Sequence, residues 1–534
     1  MRSYRYIFSI ILLIFAVGWS LWYVFAGFGN PMDPCFWLNR YAALKGGWMT
    51  VGTVLTGGLI VKLFGVHLLP LRIFGWCCTG AAIALPYFAL QDREGRRNNL
   101  HWLAIAYGLM GYGAFQEFSP GTLSVLLLSA LWVTSLRPLT PHPSPLSPVL
   151  LGLAVAARFP NILALLVLIP LWKKKSLWYI PIAALTAGVF YLLWALLITP
   201  APLDPSMGSH GVEVMVTKLF ENGGKVAGYI LMWLGIMMIP SLSSSTAAHV
   251  AAKLRINPSF LTLLLGIFIG AVLYYYIYFV PPSHQWYNYD VTYFISVGCL
   301  VLALMTKRKE LLFGAAFCLV ATLGTDTAWL KLFPTSLCLL SVAAASYEKE
   351  MRRYLFPALL GLTIMTAVRF HNNSIGDYDL VKMNTRSAIT PYEGIYIQEE
   401  DEQLLRQYKT DYDSITADQL RRSQNPQVLA IGREMHRMSA VTGCETAKYN
   451  EFWSNIFDSV YTARYREVIL EERPVVFCFY APGFKTKKSY KDTQSALENM
   501  LREEGYRELD RRKYKYMIYI PTDQQPTTDD SEIQ

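Results

Sequence analysis

Charge is scarce in this sequence. Asp, Glu, Lys and Arg make up 16% of its 534 residues and hydrophobic residues 53%, whereas an ordinary globular domain is about one-quarter charged. That balance excludes a soluble enzyme over most of the length. The eight cysteines show no metal-ligand spacing. Cys77, Cys78, Cys299, Cys318 and Cys338 lie in apolar runs as packing residues, and Cys35, Cys444 and Cys478 stand apart. A Cys444–Cys478 disulfide is open to the last two, although Cys478 sits in a strand-like run. From residue 370 onward there is no G-x-G-x-x-G, no P-loop and no H-E-x-x-H, which removes the usual nucleotide and zinc-peptidase readings there. No clear small-residue cleavage site accompanies the first apolar segment, Tyr6 to Ala26, and it is too long for a signal-peptide core. It is expected to be a retained anchor.

What is present is apolar chain in pieces long enough to cross a hydrocarbon core of roughly 30 Å. Up to residue 369, Lys and Arg outnumber Asp and Glu by 26 to 12; beyond it the acidic residues lead by 27 to 22. The basic excess therefore belongs to membrane flanks and does not argue for nucleic acid. Basic clusters occur at Arg2/Arg5, Arg93/Arg96/Arg97, Arg137, Lys173–Lys175, Lys253/Arg255, Lys307–Lys309 and Lys349/Arg352/Arg353. All can be placed on one side, which the positive-inside rule makes cytoplasmic.

About thirteen spans then alternate without conflict, near 6–27, 68–90, 100–115, 121–137, 148–157, 160–172, 177–199, 226–241, 259–280, 290–306, 311–323, 333–347 and 354–369. The pair meeting at Arg158-Phe159-Pro160-Asn161 is too short to cross alone. It reads as two half-length helices at a break. Met49 to Phe64 reads as a helix lying at the outer interface.

The expected fold is thus a multi-pass α-helical membrane part over 1–369, an extracytoplasmic α/β domain over 370–521 and a disordered tail over 522–534. The N-terminus is expected in the cytoplasm. Strand-like runs at 394–398, 427–432, 474–480 and 514–521, with helical stretches at Asp401–Tyr408 and Thr493–Glu504, favour a small, partly parallel sheet. With no constellation of chemical groups evident, that domain is expected to modulate acceptor access and to hold no catalytic residue.

Ionisable residues left over after the cytoplasmic clusters are the candidates for chemistry, because charge near a bilayer is costly. Asp33, Arg40 and Lys45 follow the first span directly, Glu117 lies just before a later one, and Arg158 sits at the helix break. Asp33 precedes Pro34, so it also suits the cap of a helix carrying Arg40 and Lys45. His284 and Tyr287 in "PPSHQWYNYD" (281–290) suit either an aromatic belt or sugar stacking. Asp326 and Lys331 in "GTDTAWLK" (324–331) are expected on the outer side as well. Several outer cations suit a phosphate, and a carboxylate among them suits a general base.

The order of these features resembles the GT-C superfamily of polyprenyl-phosphate-sugar-dependent membrane glycosyltransferases, in particular the protein mannosyltransferase and lipid A aminoarabinose transferase group. The phrases that carry the resemblance are "KLFGVHLLPLRIFG" (62–75), which opens the second span, and "LLGLAVAARFPNIL" (150–163). An acidic residue after the first span and an outward C-terminal domain fit as well. The sequence departs from the family pattern in three places. Asp33 stands alone where an acidic pair is usual, "GGWMTVGTVL" replaces the common "KPPLxYW", and "SPGTLS" (119–124) lacks the usual acidic residue, which leaves Glu117 nearby.

The resemblance implies transfer of a sugar, with inversion, from a polyprenyl-phosphate donor to a glycan, lipid or protein acceptor at the outer face of a bacterial inner membrane. It implies Asp33, or else Glu117, as base, and Arg158 with Arg40 or Lys45 on the donor phosphate. His284, Tyr287, Asp326 and Lys331 would touch substrate. No cofactor is implied, and a divalent metal is left open. Two other classes stay open beside this one: a transporter or flippase of a lipid-linked sugar, and a non-catalytic membrane scaffold. A reporter fused after residue 380 is expected to score as extracytoplasmic; a cytoplasmic signal there would overturn the topology.

Overall fold

The computed structural model describes residues 2–28, 33–89, 99–110, 117–136, 144–200, 382–422, 427–432, 434–444, 459–479, 488–514 and 516–522, with scattered positions between 228 and 363. In the first half, α1 (Arg2–Phe25), α2 (Asp33–Ala42), the short strand β1 (Lys45–Gly46), α3 (Val51–Phe64) and α4 (Leu68–Ala89) follow one another. Then come α5 (Asn99–Met110), α6 (Pro120–Leu136), α7 (Leu146–Ala157), α8 (Leu165–Trp172) and α9 (Ser176–Leu197), ending in β2 (Thr199–Pro200). Each apolar run up to residue 199 carries a helix. Ile7–Phe25, Leu68–Pro86 and Phe159–Leu197 are long and apolar enough to cross a membrane. On α9, Leu177, Trp178, Leu185 and Leu196 are 71% to 78% exposed, a surface that suits lipid and not water. The spans expected from residue 226 onward lie outside the described residues, apart from scattered helical positions.

The break in the chain at Arg158 has a local cause. Pro160 has no N–H to continue the α-helical ladder, so α7 stops at Ala157, Arg158 turns extended and a 3-10 turn over Phe159–Ala164 leads into α8. The carbonyl of Ala157 finds another donor in Thr53 Oγ1 at 2.9 Å, while Asn161 Nδ2 at 2.8 Å adds a second donor to the carbonyl of Ala154, which still accepts from the Arg158 amide at 3.0 Å. At twelve residues, α7 rises only about 18 Å, less than a full crossing.

Downstream, β3 (Thr385–Arg386) and β4 (Tyr396–Ile397) form an antiparallel pair. They precede α10 (Glu399–Arg422), β5 (Val428–Ile431), α11 (Met435–Thr442), α12 (Ser459–Glu472), β6 (Val475–Phe479), α13 (Lys488–Glu503), β7 (Tyr506–Arg511) and β8 (Tyr516–Pro521). The sheet order is β5-β6-β8-β7, parallel between β5 and β6 and antiparallel elsewhere. Period-two alternation gives the sheet two apolar faces. Ala430, Phe477, Phe479, Tyr516 and Ile518 pack with Leu405 and Tyr408 of α10. Leu429, Ile431, Val476, Cys478, Met517 and Tyr519 pack with Tyr465 and Ile469 of α12 and Leu497 and Leu501 of α13.

That alternation corrects the disulfide expectation. Cys444 belongs to the first core and Cys478 to the second, and both thiols are free. The first core does not stop at the sheet. It continues without interruption into Cys35, Leu38 and Tyr41 of α2, Val54 and Val61 of α3, and Leu68 and Leu71 of α4.

Close backbone approach holds this junction together. The amide of Phe118 donates to the carbonyl of Leu71 at 2.8 Å, and a Cβ on Gly75 would lie 2.7 Å from the carbonyl carbon of Glu117. Gly75→Ala is therefore expected to lower stability by about 1–3 kcal/mol, the cost of overpacking a filled contact. Unfolding in detergent checks this, and an unchanged midpoint would contradict the contact.

Candidate functional site

Arg72 stands one turn into α4 with no exposed surface. Its Nη1 and Nη2 donate to the carbonyls of Ala26 and Gly27 at 3.3 and 2.9 Å, just past the end of α1. Its Nε lies 3.4 Å from Glu117 Oε1. Glu117 is fixed in turn by its neighbour, because the carbonyl of Phe118 accepts from Tyr41 Oη of α2 at 3.1 Å. One cation thus ties the end of α1, the start of α4 and the chain before α6.

Asp33 opens α2 and Arg40 lies in its last turn. Lys45 is not on that helix. It lies in β1, which pairs with β2, so that Lys45 faces Thr199 in register. Two residues into α2, Cys35 is fully buried with its Sγ 3.6 Å from Tyr392 Oη. Burial pushes this thiol up to about 11; the Arg437 guanidinium and the Tyr392 bond oppose the shift, and the Glu434 and Glu117 charges add to it. Glu117, Cys35, Glu434 and Arg437 therefore share one electrostatic neighbourhood beside the start of α2.

On the other side of α3 lies the helix break. Gly52 lets α3 approach α7 so closely that a Cβ there would stand 2.9 Å from the carbonyl carbon of Ala156. Trp48, at the head of α3, packs edge-on against Phe159 with ring centroids 4.8 Å apart. Arg158 is buried at this point, and Asn161 is fully buried, donating to Ser124 Oγ at 3.0 Å as well as to Ala154. In an apolar bundle such polar burial marks a site or its frame.

The structure thus places Asp33, Arg40 and Glu117 on the α2 side of α3, and Arg158 on its α7 side, with Lys45 in the strand joining α2 to α3. His284, Tyr287, Asp326 and Lys331 lie outside the described residues. Among the described residues, no group of three or more His, Cys, Asp or Glu is placed to hold a metal ion.

Two residues that sequence reasoning passed over, His436 and Arg437, reach this region from α11. The carbonyl of His436 accepts from Asn39 Nδ2 at 3.1 Å, and its ring stands edge-on to Phe36 at 5.0 Å. Arg40 covers the same Phe36 ring, its guanidinium carbon 4.3 Å from the centroid. No local pattern announces such contacts, because they join positions nearly 400 residues apart.

No model of a known protein family matches the chain, and no curated protein matches it. Among solved structures, the chain is similar to ArnT from Cupriavidus metallidurans in the apo state, at 12% identity over 96% of this chain and 97% of that one, with a TM-score of 0.41. The form of ArnT from Cupriavidus metallidurans bound to undecaprenyl phosphate gives 13% identity, 96% and 97% coverage and a TM-score of 0.42. An Archaeoglobus fulgidus oligosaccharyltransferase in complex with Zn and sulfate gives 14% identity, 97% and 74% coverage and a TM-score of 0.41. At these values the likeness assigns no residue a role.

The buried imidazole makes a pH prediction. Burial, helped by the Arg40 charge, lowers the His436 pKa from 6.5 to about 3. Below pH 6.5 the unfolded chain takes up a proton that the folded chain refuses, so this contribution is complete above 6.5 and is lost as pH falls toward 3. Between pH 7.5 and 5 the loss is about 2 kcal/mol. Unfolding midpoints measured at both values check it, and His436→Gln is expected to flatten the slope.

Proposed function

We propose that this chain is a membrane glycosyltransferase. It moves a sugar from a polyprenyl-phosphate donor to an acceptor hydroxyl on a glycan, lipid or protein at the outer face of the membrane, with inversion. The observation that carries the reading is the buried Arg158 at a helix break inside an apolar bundle, with α3 between it and α2, a helix that opens on a carboxylate. A guanidinium in low dielectric interacts far more strongly with an approaching anion than one in water does. A lipid phosphate is an anion that arrives at this depth, since its chain stays between the helices while its head group reaches the surface. Arg158 would bind phosphate oxygens through its planar fork, with Arg40 or Lys45 adding charge as the leaving group forms.

Asp33 is the base in this reading. A hydroxyl is far too weak an acid to ionise near neutral pH, so a positioned carboxylate must take its proton as the oxygen attacks the anomeric carbon. That carbon is tethered at the membrane surface by the donor lipid. The base must stand at the same height, and a loop that begins where the first span ends supplies it. Glu117 is the weaker candidate, because Arg72 already engages it. The resemblance of "KLFGVHLLPLRIFG" (62–75) and "LLGLAVAARFPNIL" (150–163) to GT-C phrases supports the same assignment.

Asp33→Asn is expected to cut transfer by about 10²–10⁴-fold while donor binding stays near normal. Arg158→Ala should instead weaken donor binding. Sugar transfer in membranes lacking the wild-type protein, with donor binding measured separately, decides the matter. Near-normal turnover in Asp33→Asn would remove Asp33 from the role. Movement of lipid-linked sugar across the bilayer without transfer would favour the flippase.

A further inference from the structure

Asp33 lies between two anchored residues, Phe28 and Cys35, and both anchors come from the far end of the chain. Arg437 of α11 lays its guanidinium over the Phe28 ring, 3.6 Å from the centroid, and its Nη2 donates to the Phe28 carbonyl at 3.5 Å. Its Nε donates to Tyr392 Oη at 2.9 Å. Tyr392 stacks its own ring 5.1 Å from that of Phe28 and places Oη 3.6 Å from Cys35 Sγ. The phenol oxygen thus accepts from the guanidinium while sharing a hydrogen bond with the thiol that either group can donate. Glu434 closes the array by accepting from Arg437 Nη1 with both oxygens, at 3.0 and 2.7 Å, and its Oε2 also accepts from Tyr408 Oη at 3.4 Å.

Arg437 is 2% exposed and Glu434 22%. A buried ion pair adds little net stability over apolar side chains of the same volume, since desolvation offsets its attraction. What it does fix is geometry: five donors in a rigid fork admit one arrangement of Glu434, Tyr392 and the Phe28 carbonyl. Those partners bracket the residue assigned as base.

We infer that Arg437, held by Glu434 and acting through Tyr392, is a positioning residue that fixes the start of α2, the helix that Asp33 opens. This rests on the glycosyltransferase reading above. It also gives the C-terminal part a role beyond acceptor access, and makes Glu434 a position that transfer depends on.

The test uses the full chain in detergent or liposomes, with the exposed Cys77 replaced by Ser so that maleimide labelling reports Cys35. Arg437→Lys keeps the charge but loses the fork; Tyr392→Phe keeps the ring but loses the oxygen. Tyr516→Phe serves as a matched control, since it removes an equally buried phenol bonded at 2.6 Å to Asp411 and keeps the ring by which Tyr516 touches Tyr408. Labelling of Cys35, located by mass spectrometry, is expected to quicken about tenfold in Tyr392→Phe and Arg437→Lys, the worth of one charge-assisted hydrogen bond. It should stay at the wild-type rate in the control. In sugar transfer, kcat is expected to fall about 10–100-fold in both variants with the donor KM within about twofold, as for a misplaced catalytic group.

Wild-type labelling in both variants, an unchanged kcat, or a loss carried by KM alone would each overturn the inference. If Arg437→Lys does not fold, Tyr392→Phe decides by itself. A wild-type chain that transfers no sugar would instead sink the underlying reading, a different result from active wild type with active variants.

Discussion

The first loop depends on how the exit from α1 is tied down. Helix ends leave carbonyls without partners, and buried ones must find donors elsewhere. Here the carbonyls of Ala26 and Gly27 accept from Arg72, and that of Phe28 accepts from Arg437. The amide of Gly27 donates to the carbonyl of Tyr396 at 2.8 Å. Two buried guanidiniums, one from α4 and one from α11, therefore define where the loop begins. Each has a carboxylate within reach, Glu117 for Arg72 and Glu434 for Arg437. Removing either acid would leave a cation buried beside the loop, which is far more costly than losing an exposed pair.

The continuity of the apolar core has the same consequence on a larger scale. One cluster runs from α3 and α4 through α2 into the face of the sheet that carries Phe477, Phe479 and Tyr516. Opening the C-terminal part away from the membrane part would expose the buried faces of Leu38, Met438 and Tyr408 to water. Exposing one such side chain costs about 1.5–3 kcal/mol, so the two parts are held in register and α11 stays on α2.

Much of this was legible in the sequence, and the failures have physical causes. Apolar runs fix helices by composition alone, so α1, α4, α6 and α9 fall where hydropathy puts them. The half-helix pair at Arg158 was legible because Pro160 has no amide proton. Strand β7, "YRELDR", was missed: it lies at the edge of the sheet, where charged side chains alternate outward and no apolar run marks it. From sequence alone Lys45 continues the helix of Arg40, whereas the chain turns at Leu44, whose positive φ of 47° ends any helical continuation. The candidate carboxylates were visible as charges left over in greasy sequence. Arg437 and Tyr392 were not, since nothing local distinguishes an arginine that will be buried against residue 28 from one that will face water.

What separates the two halves of the proposed chemistry is the thickness of α3. On one side Gly57 admits the ring of Tyr41, which would meet an added Cβ at 2.5 Å, and Gly58 admits Leu44. On the other side Gly52 meets the backbone of Ala156. Thr53 and Val54 add side-chain contacts, but at these glycines the backbone of α3 itself meets Tyr41 and Leu44 on one side and Ala156 on the other. Any side chain at Gly52 or Gly57 would push the walls apart by a good part of an ångström. A base and a phosphate clamp that act on the same donor must hold their places to within about 0.5 Å. The glycines of "VGTVLTGGLI", which look in the sequence like weaknesses in a short apolar helix, are thus where α3 packs most closely on its neighbours.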